Sequence, residues 1–346
     1  MTASSRTSRR TLLIILFAAA AAALFAAMLY CGAVSIPPSE VTTIITGQDT
    51  SKEAWRTIVL ESRLPMALTA AVAGAALSVA GLMLQTVFRN PLAGPSILGI
   101  STGASLGVAI VMLCAASFPA IQETAGTFGV IGGALAGAVA VLAILSLFSS
   151  MLRSPLSLLI VGIMVSYLAS SVISLLNFFA PAESVRSFVV WGLGSYSGTD
   201  LRASVILAVA VTLPLAATAF YTKPLNAMLL GDRYLASMGY RVTRLRSAML
   251  LLSGIITAVV TAYCGPIGFI GLIVPHVCRM AFGTSNHFTL IPACLVVGAA
   301  VSLLCALVCV LPSHSGVIPI NAITPIAGVP VIIYIMLNAR RLKYFN

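Results

Sequence analysis

Charge is what this chain has least of. Only 8% of its 346 residues are Asp, Glu, Lys or Arg, where a water-soluble domain carries about a quarter. With 60% apolar residues and a mean hydropathy of +1.08, the polar surface is too small to cover a soluble globule, and the chain reads as an integral membrane protein. The seven cysteines (Cys31, Cys114, Cys264, Cys278, Cys294, Cys305 and Cys309) fall in or beside apolar stretches without a CxxC pair, so they read as buried free thiols. His276, His287 and His314 are scattered, and there is no HExxH, no paired carboxylate motif and no GxxxxGK[ST]. This excludes the common zinc hydrolase and P-loop chemistries and argues against a membrane enzyme. The net charge of +11 invites a nucleic-acid reading, but the basic residues occupy short loops and form no stripe with interleaved aromatics, which excludes one. No span centre carries an ionisable relay; Arg63 and Arg279 lie near span ends. Intramembrane charge usually marks ion-coupled transport, so its scarcity argues against a proton-coupled secondary carrier.

Ten segments are long or apolar enough to cross a bilayer: Thr11 to Val34, Leu64 to Val87, Ile97 to Ala115, Thr127 to Phe148, Leu156 to Phe179, Leu201 to Ala219, Ala248 to Tyr263, Gly268 to Ala281, Phe288 to Leu311 and Ile320 to Leu337. They predict an all-α membrane protein in which residues 1–346 form one transmembrane domain. With the N-terminus inside, Arg6, Arg9, Arg10, Arg89, Arg153, Lys223, Arg233, Arg241, Arg244, Arg246, Arg279, Arg340, Arg341 and Lys343 share one face, 14 of the 19 Lys and Arg. Lys52, Arg56, Arg63, Arg186 and Arg202 share the other with every acid except Asp232: Glu40, Asp49, Glu53, Glu61, Glu123, Glu183 and Asp200. The positive-inside rule makes the basic side cytoplasmic. Both termini are then cytoplasmic, with residues 1–10 as an N-terminal tail and 221–246 as the most basic internal loop. Tyr30 before Cys31 is too bulky for a lipoprotein cleavage box, and Thr11 to Val34 is too long for a signal-peptide core, so a retained first helix is expected.

Small residues saturate the spans. Gly103 with Gly107, and Gly133 with Gly137, have the GxxxG spacing that lets helix backbones approach closely in lipid. Pro91, Pro95, Pro266, Pro275, Pro319, Pro325 and Pro330 cluster near span ends; helix breaks at membrane depth are tolerated only inside protein or along a cavity. In Leu230-Gly-Asp-Arg-Tyr-Leu-Ala-Ser-Met-Gly239, Asp232 is placed to cap a short helix from Arg233 to Met238, and Gly239 suits the left-handed residue that ends it. Such a helix would offer Tyr234, Leu235 and Met238 either to a groove of another protein or to lipid headgroups. At the inner end of the second span Gln85, Arg89, Asn90 and Pro91 are placed to hold a turn or gate a pathway. His276 has no second ligand three or four residues away and is not expected to bind metal.

Four stretches carry more specific information. They are Arg63-Leu-Pro with Ala80-Gly-Leu-Met-Leu-Gln85, Arg89 to Gly99 and Gly103 to Gly107; Leu230 to Gly239; Gly265-Pro-Ile-Gly-Phe-Ile-Gly-Leu-Ile-Val-Pro-His276 with Arg279; and Ile318 to Pro330. In order and spacing, from about Arg63 to the C-terminus, they resemble the permeases of binding-protein-dependent ATP-binding cassette importers for iron-siderophores, haem and cobalamin. The resemblance implies a type II importer permease in the bacterial cytoplasmic membrane, with ten helices per copy and a second permease copy, most simply a homodimer. Its other partners would be two cytoplasmic ATPase subunits, which hold ATP and Mg, and a periplasmic or lipid-anchored substrate-binding protein. This chain itself would bind no cofactor or metal. ATPase coupling then falls to Leu230, Gly231, Asp232, Arg233, Tyr234, Leu235, Ala236, Met238 and Gly239, and Gly265, Gly268, Gly271 and Pro275 resemble the family's helix break near the dimer interface. The expected cargo is an iron-siderophore or haem, with cobalamin as the alternative. The chain departs from the family at Met66, where a second Arg is usual, and at Ala306 and Val310, where an Asp and an Arg are usual. Lys52, Arg56, Arg63 and Arg186 remain as candidate contacts for the binding protein.

Overall fold

The computed structural model describes residues 3–114, 127–152, 154–311 and 317–338; Glu123, Arg153, His314, Arg340, Arg341 and Lys343 lie outside them. Among the described residues all regular structure is helical. The first helix, α1 (Ala3–Tyr30), starts so early that most of the expected tail is part of it, and it ends four residues short of Val34. The polar stretch that follows holds α2 (Pro38–Ile45) and α3 (Glu53–Thr57), packed over Ile36, Val41, Ile44 and Val59. A π-helical turn, Ile58–Arg63, joins α3 to α4 (Leu64–Phe88).

Next come α5 (Ile100–Cys114), α6 (Thr127–Met151), α7 (Pro155–Phe179), α8 (Ala182–Gly192) and α9 (Leu201–Thr218). The loop at 221–241 contains α10 (Thr222–Leu229) and α11 (Asp232–Ser237). The chain then forms α12 (Val242–Cys264), α13 (Ile270–Phe282), α14 (His287–Val310) and α15 (Ile320–Asn338). Among the described residues seven helical stretches are long and apolar enough to cross a membrane, and α5, α13 and most of α15 are shorter apolar helices. Together they account for the ten expected spans.

The axis of the bundle is α4. Its most apolar window is 78% buried, against 11% for α1 and 22% for α7, as expected of a helix that is apolar all round. Its small residues bring neighbours to backbone contact: a Cβ on Gly74 would lie 2.4 Å from Gly298 O in α14, and one on Gly81 would lie 1.7 Å from Gly271 O in α13. The two GxxxG pairs form one interface. A Cβ on Gly107 would meet Gly133 O at 1.9 Å and one on Gly137 would meet Gly103 O at 2.0 Å, so α5 and α6 touch backbone to backbone.

Two connections depart from the expected spans. The third span was expected from Ile97, but the chain makes a 3₁₀ turn over Pro95–Leu98 and a left-handed residue at Gly99 before α5 begins. The eighth was expected from Gly268, but Phe269 sits at φ 68° and α13 starts one residue later. Both interruptions lie deep in the bundle, because Gly271 packs on Leu77 O and on Pro95, and Leu77 is mid-helix in α4.

Candidate functional site: a short helix tied to two spans, and a polar cleft

The short helix α11 is capped differently from the sequence expectation. Its N-cap is Gly231 at φ 115°, with no side-chain cap bond, so the helix begins at Asp232 and the carboxylate is directed elsewhere. Asp232 Oδ1 accepts from Arg89 Nη2 at 2.5 Å, and Oδ2 lies 3.6 Å from Arg246 Nη2. These partners belong to the inner ends of α4 and α12, so one carboxylate holds the short helix to two spans. Gly239, at φ 85°, ends the helix as expected, with Gly239 N donating to Ala236 O and Tyr240 N to Leu235 O. Leu235 is fully buried in its own chain and is not available to a partner. The outward surface consists of Leu230, Arg233, Tyr234, Ala236 and Met238, with Leu230 67%, Tyr234 46% and Met238 51% exposed. A small apolar patch exposed outside the spans of a membrane protein suits burial against another protein.

Arg89 itself is left-handed, at φ 46°, and terminates α4. Asn90 N donates to Gln85 O and Asn90 Oδ1 accepts from Leu92 N, which turns the chain at Pro91 back toward the bundle. One turn earlier on α4, the buried Gln85 donates from Nε2 to Leu272 O at 3.0 Å and accepts from Arg279 Nη1, tying α4 to α13. His276 Nδ1 lies 3.4 Å from the same Arg279 nitrogen, and His276 is buried rather than wet. His287 bonds Thr86 Oγ1 at 2.8 Å and Asn226 Oδ1 at 2.8 Å, joining α4, α10 and α14. Among the described residues no cluster of three or more His, Cys, Asp or Glu is placed to hold a metal.

At mid-bundle the two interruptions meet a cleft of about 410 Å³. Its polar lining is Ser96, Ser101, Thr102, Ser105, Ser170 and Asn321, and the backbone of Pro266 to Phe269 forms one wall. Asn321 keeps that wall in place: Oδ1 accepts from Gly268 N at 3.1 Å and Nδ2 donates to Pro266 O. Gly265, at φ 72°, has no room for a side chain, since a Cβ would lie 2.6 Å from Trp191 O. Pro275 has no N–H to offer Gly271 O, and that carbonyl lies against Gly81. Of the residues expected at the break, Gly268 lines the cleft directly, Gly265 precedes its wall, and Gly271 and Pro275 lie beyond it on α13. The hydroxyls and Asn321 are not legible as a site in the sequence, where they are spread over three spans and a turn.

On the outer side Lys52 lies over the Trp55 ring at 4.8 Å, and Arg56 and Arg186 are exposed. Arg63 does not belong with them. It is 6% exposed and its guanidinium donates to Leu29 O at 2.8 Å, Tyr30 O at 2.9 Å and Val34 O, closing the outer end of α1. The planar fork suits this role, because the last carbonyls of a helix have no intrahelical partner.

The family model for the FecCD transport family matches residues 13–338. The chain belongs to the FecCD transport family. Its FecCD relatives include the vitamin B12 import system permease protein BtuC of Escherichia coli O9:H4 (strain HS) and that of Shigella boydii serotype 18, each 32% identical over 284 residues, covering 82% of this chain and 84% of the relative. A solved structure, an inward-facing conformation of a metal-chelate type ABC transporter, matches with a TM-score of 0.83 and 27% identity over 95% of this chain and 99% of its own. As a FecCD member the chain is a type II ABC importer permease, a multi-pass inner-membrane protein and not itself an enzyme. Met66 and Ala306, where the resemblance expects Arg and Asp, are buried and line the same small cavity, and Val310 is also buried. The charges expected at Met66 and Ala306 are thus lost together from one buried place. Exchanging a buried ion pair for apolar side chains is often neutral or stabilising.

Proposed function

We propose that this protein is the permease subunit of an ATP-driven importer that carries a metal chelate across the cytoplasmic membrane, with ATP and Mg held by separate ATPase subunits. The observation that carries the reading is the exposed helix α11, anchored through Asp232 to the inner ends of two spanning helices. That is the geometry needed to convert a partner's movement into movement of the spans. The uncharged, hydroxyl-lined cleft supports the same reading, since interrupted backbone at membrane depth is stable only where it is buried or lines a cavity.

The pathway runs between two copies. α7 and α15 flank the cleft and expose Met164, Tyr167, Leu168, Ile326 and Ile333, an apolar face that a second copy would cover. A binding protein docks on the outer side, with Lys52, Arg56 and Arg186 as its cationic contacts; Arg63 is engaged in the fold. The cargo is an iron-siderophore or haem on the motif resemblance, and cobalamin is the second reading, favoured by the vitamin B12 permeases among the relatives. Uptake of labelled ferrichrome, haemin and cyanocobalamin should be compared in cells with and without the gene. Loss of one chelate's uptake on deletion is the expected result. Unchanged uptake of all three would overturn the assignment to these chelates.

A further inference from the structure

We infer that Gln85 is a positioning residue that makes the wall of the cleft follow the cytoplasmic helix α11. The inference rests on the importer reading above. Gln85 lies in the last turn of α4 and Arg89 is the left-handed residue that ends it, so both side chains leave the inner end of one helix. Arg89 grips Asp232 on α11, while Gln85 grips α13. The grip of Gln85 reaches both ends of that helix. Its Nε2 donates to the carbonyl of Leu272, in the first turn after the break at Phe269, and its Oε1 accepts from Arg279, in the last turn. Opposite partners on its two ends fix the amide orientation, because only the nitrogen can donate to a carbonyl and only the oxygen can accept from a guanidinium.

One turn earlier on α4 than Gln85, Gly81 touches Gly271 O, so the two helices meet without an intervening side chain. A displacement of α11 that moves the end of α4 is then passed to α13 and to the Gly268–Phe269 wall. A glutamine that merely satisfied Arg279 would need only its oxygen. The bond to Leu272 O adds a hold on the part of α13 that borders the cleft. Energetic coupling of this kind requires an element with two arrangements that both sites bias, and the experiment must show the wall responding to nucleotide.

The test places a single cysteine at Ser96, exposed in the cleft, in an otherwise cysteine-free full-length chain assembled with its ATPase in liposomes. Labelling by a small maleimide is timed with and without MgATP and vanadate. In the parent the labelling rate should change several-fold on nucleotide trapping. Gln85→Leu should abolish that change while the complex still hydrolyses ATP. Gln85→Leu with Arg279→Met, which leaves no buried guanidinium without its glutamine, should do the same. Gln85→Glu, which keeps the acceptor for Arg279 but faces Leu272 O with a second acceptor, should also lose the change. Variants that respond like the parent overturn the inference, as does failure of every Gln85 variant to assemble, which would make the residue structural only. A parent that imports and hydrolyses ATP without any change in labelling overturns the inference and leaves the proposed function standing. A parent that binds no ATPase removes both.

Discussion

Replacing Gly81 by Ala tests the contact on which the α4–α13 pair depends. The added Cβ would lie 1.7 Å from Gly271 O and 2.5 Å from Gly271 C, whereas ordinary contact begins at 3.4 Å. The neighbour is backbone, so no side chain can swing aside, and the helices must part by about 1.7 Å or bend, at an overpacking cost of about 1–3 kcal/mol. A parting of half that distance already carries Gln85 Nε2 out of reach of Leu272 O, now 3.0 Å away. The control is Gly132→Ala in α6, where a Cβ meets nothing within 4 Å and the change gains up to about 1 kcal/mol of helix propensity. Thermal unfolding of both purified variants, with ATP-driven uptake in liposomes, is the assay. Gly81→Ala should melt lower and transport poorly, whereas Gly132→Ala should match or exceed the parent. Equal melting and uptake for the two variants would refute the close-contact reasoning.

Asp232→Ala removes an exposed pair with Arg89 and also the carboxylate 3.6 Å from Arg246, whose side chain is only 3% exposed, so its cost to the fold should exceed the roughly 1 kcal/mol of an exposed pair; ATPase binding or coupling should fall as well, read by pull-down and by ATP consumed per chelate moved. Met66→Arg places a cation in a buried cavity beside Ala306 and should lower stability by about 3 kcal/mol, while adding Ala306→Asp should recover much of the loss, measured by the melting of single and double variants. Arg63→Ala removes the donor to two carbonyls at the end of α1 and to Val34 O just beyond it and should cost about 3 kcal/mol; Arg63→Lys should restore only part, since an ammonium lacks the fork. Limited proteolysis in the Cys31–Ile36 connection would report both losses.

The ten spans and the short helix were legible because each rests on local signals: apolar runs for the spans, and Gly239 as the stop of the helix, although its cap was expected at Asp232 and is Gly231. The pairing of Arg89 with Asp232 was not, because the two are 143 residues apart and their exposed side chains read equally well as a turn and a cap. Arg63 looked like a surface cation because it ends a polar stretch; its true partners, the carbonyls at the end of α1, become a site only when α1 packs beside α4. The prolines and glycines at Pro95, Gly265 and Pro275 signalled broken helices. Nothing local announced that both breaks would meet one cleft, or that Asn321, more than fifty residues further on, would hold its wall.

Uptake by liposomes that contain the permease, its ATPase and its binding protein, with any proton gradient collapsed, tests the central claim most directly. The account predicts accumulation of the chelate that requires ATP, stops with vanadate and ignores the ionophore. Uptake that persists without the ATPase, or that vanishes with the proton gradient while ATP is present, would contradict it.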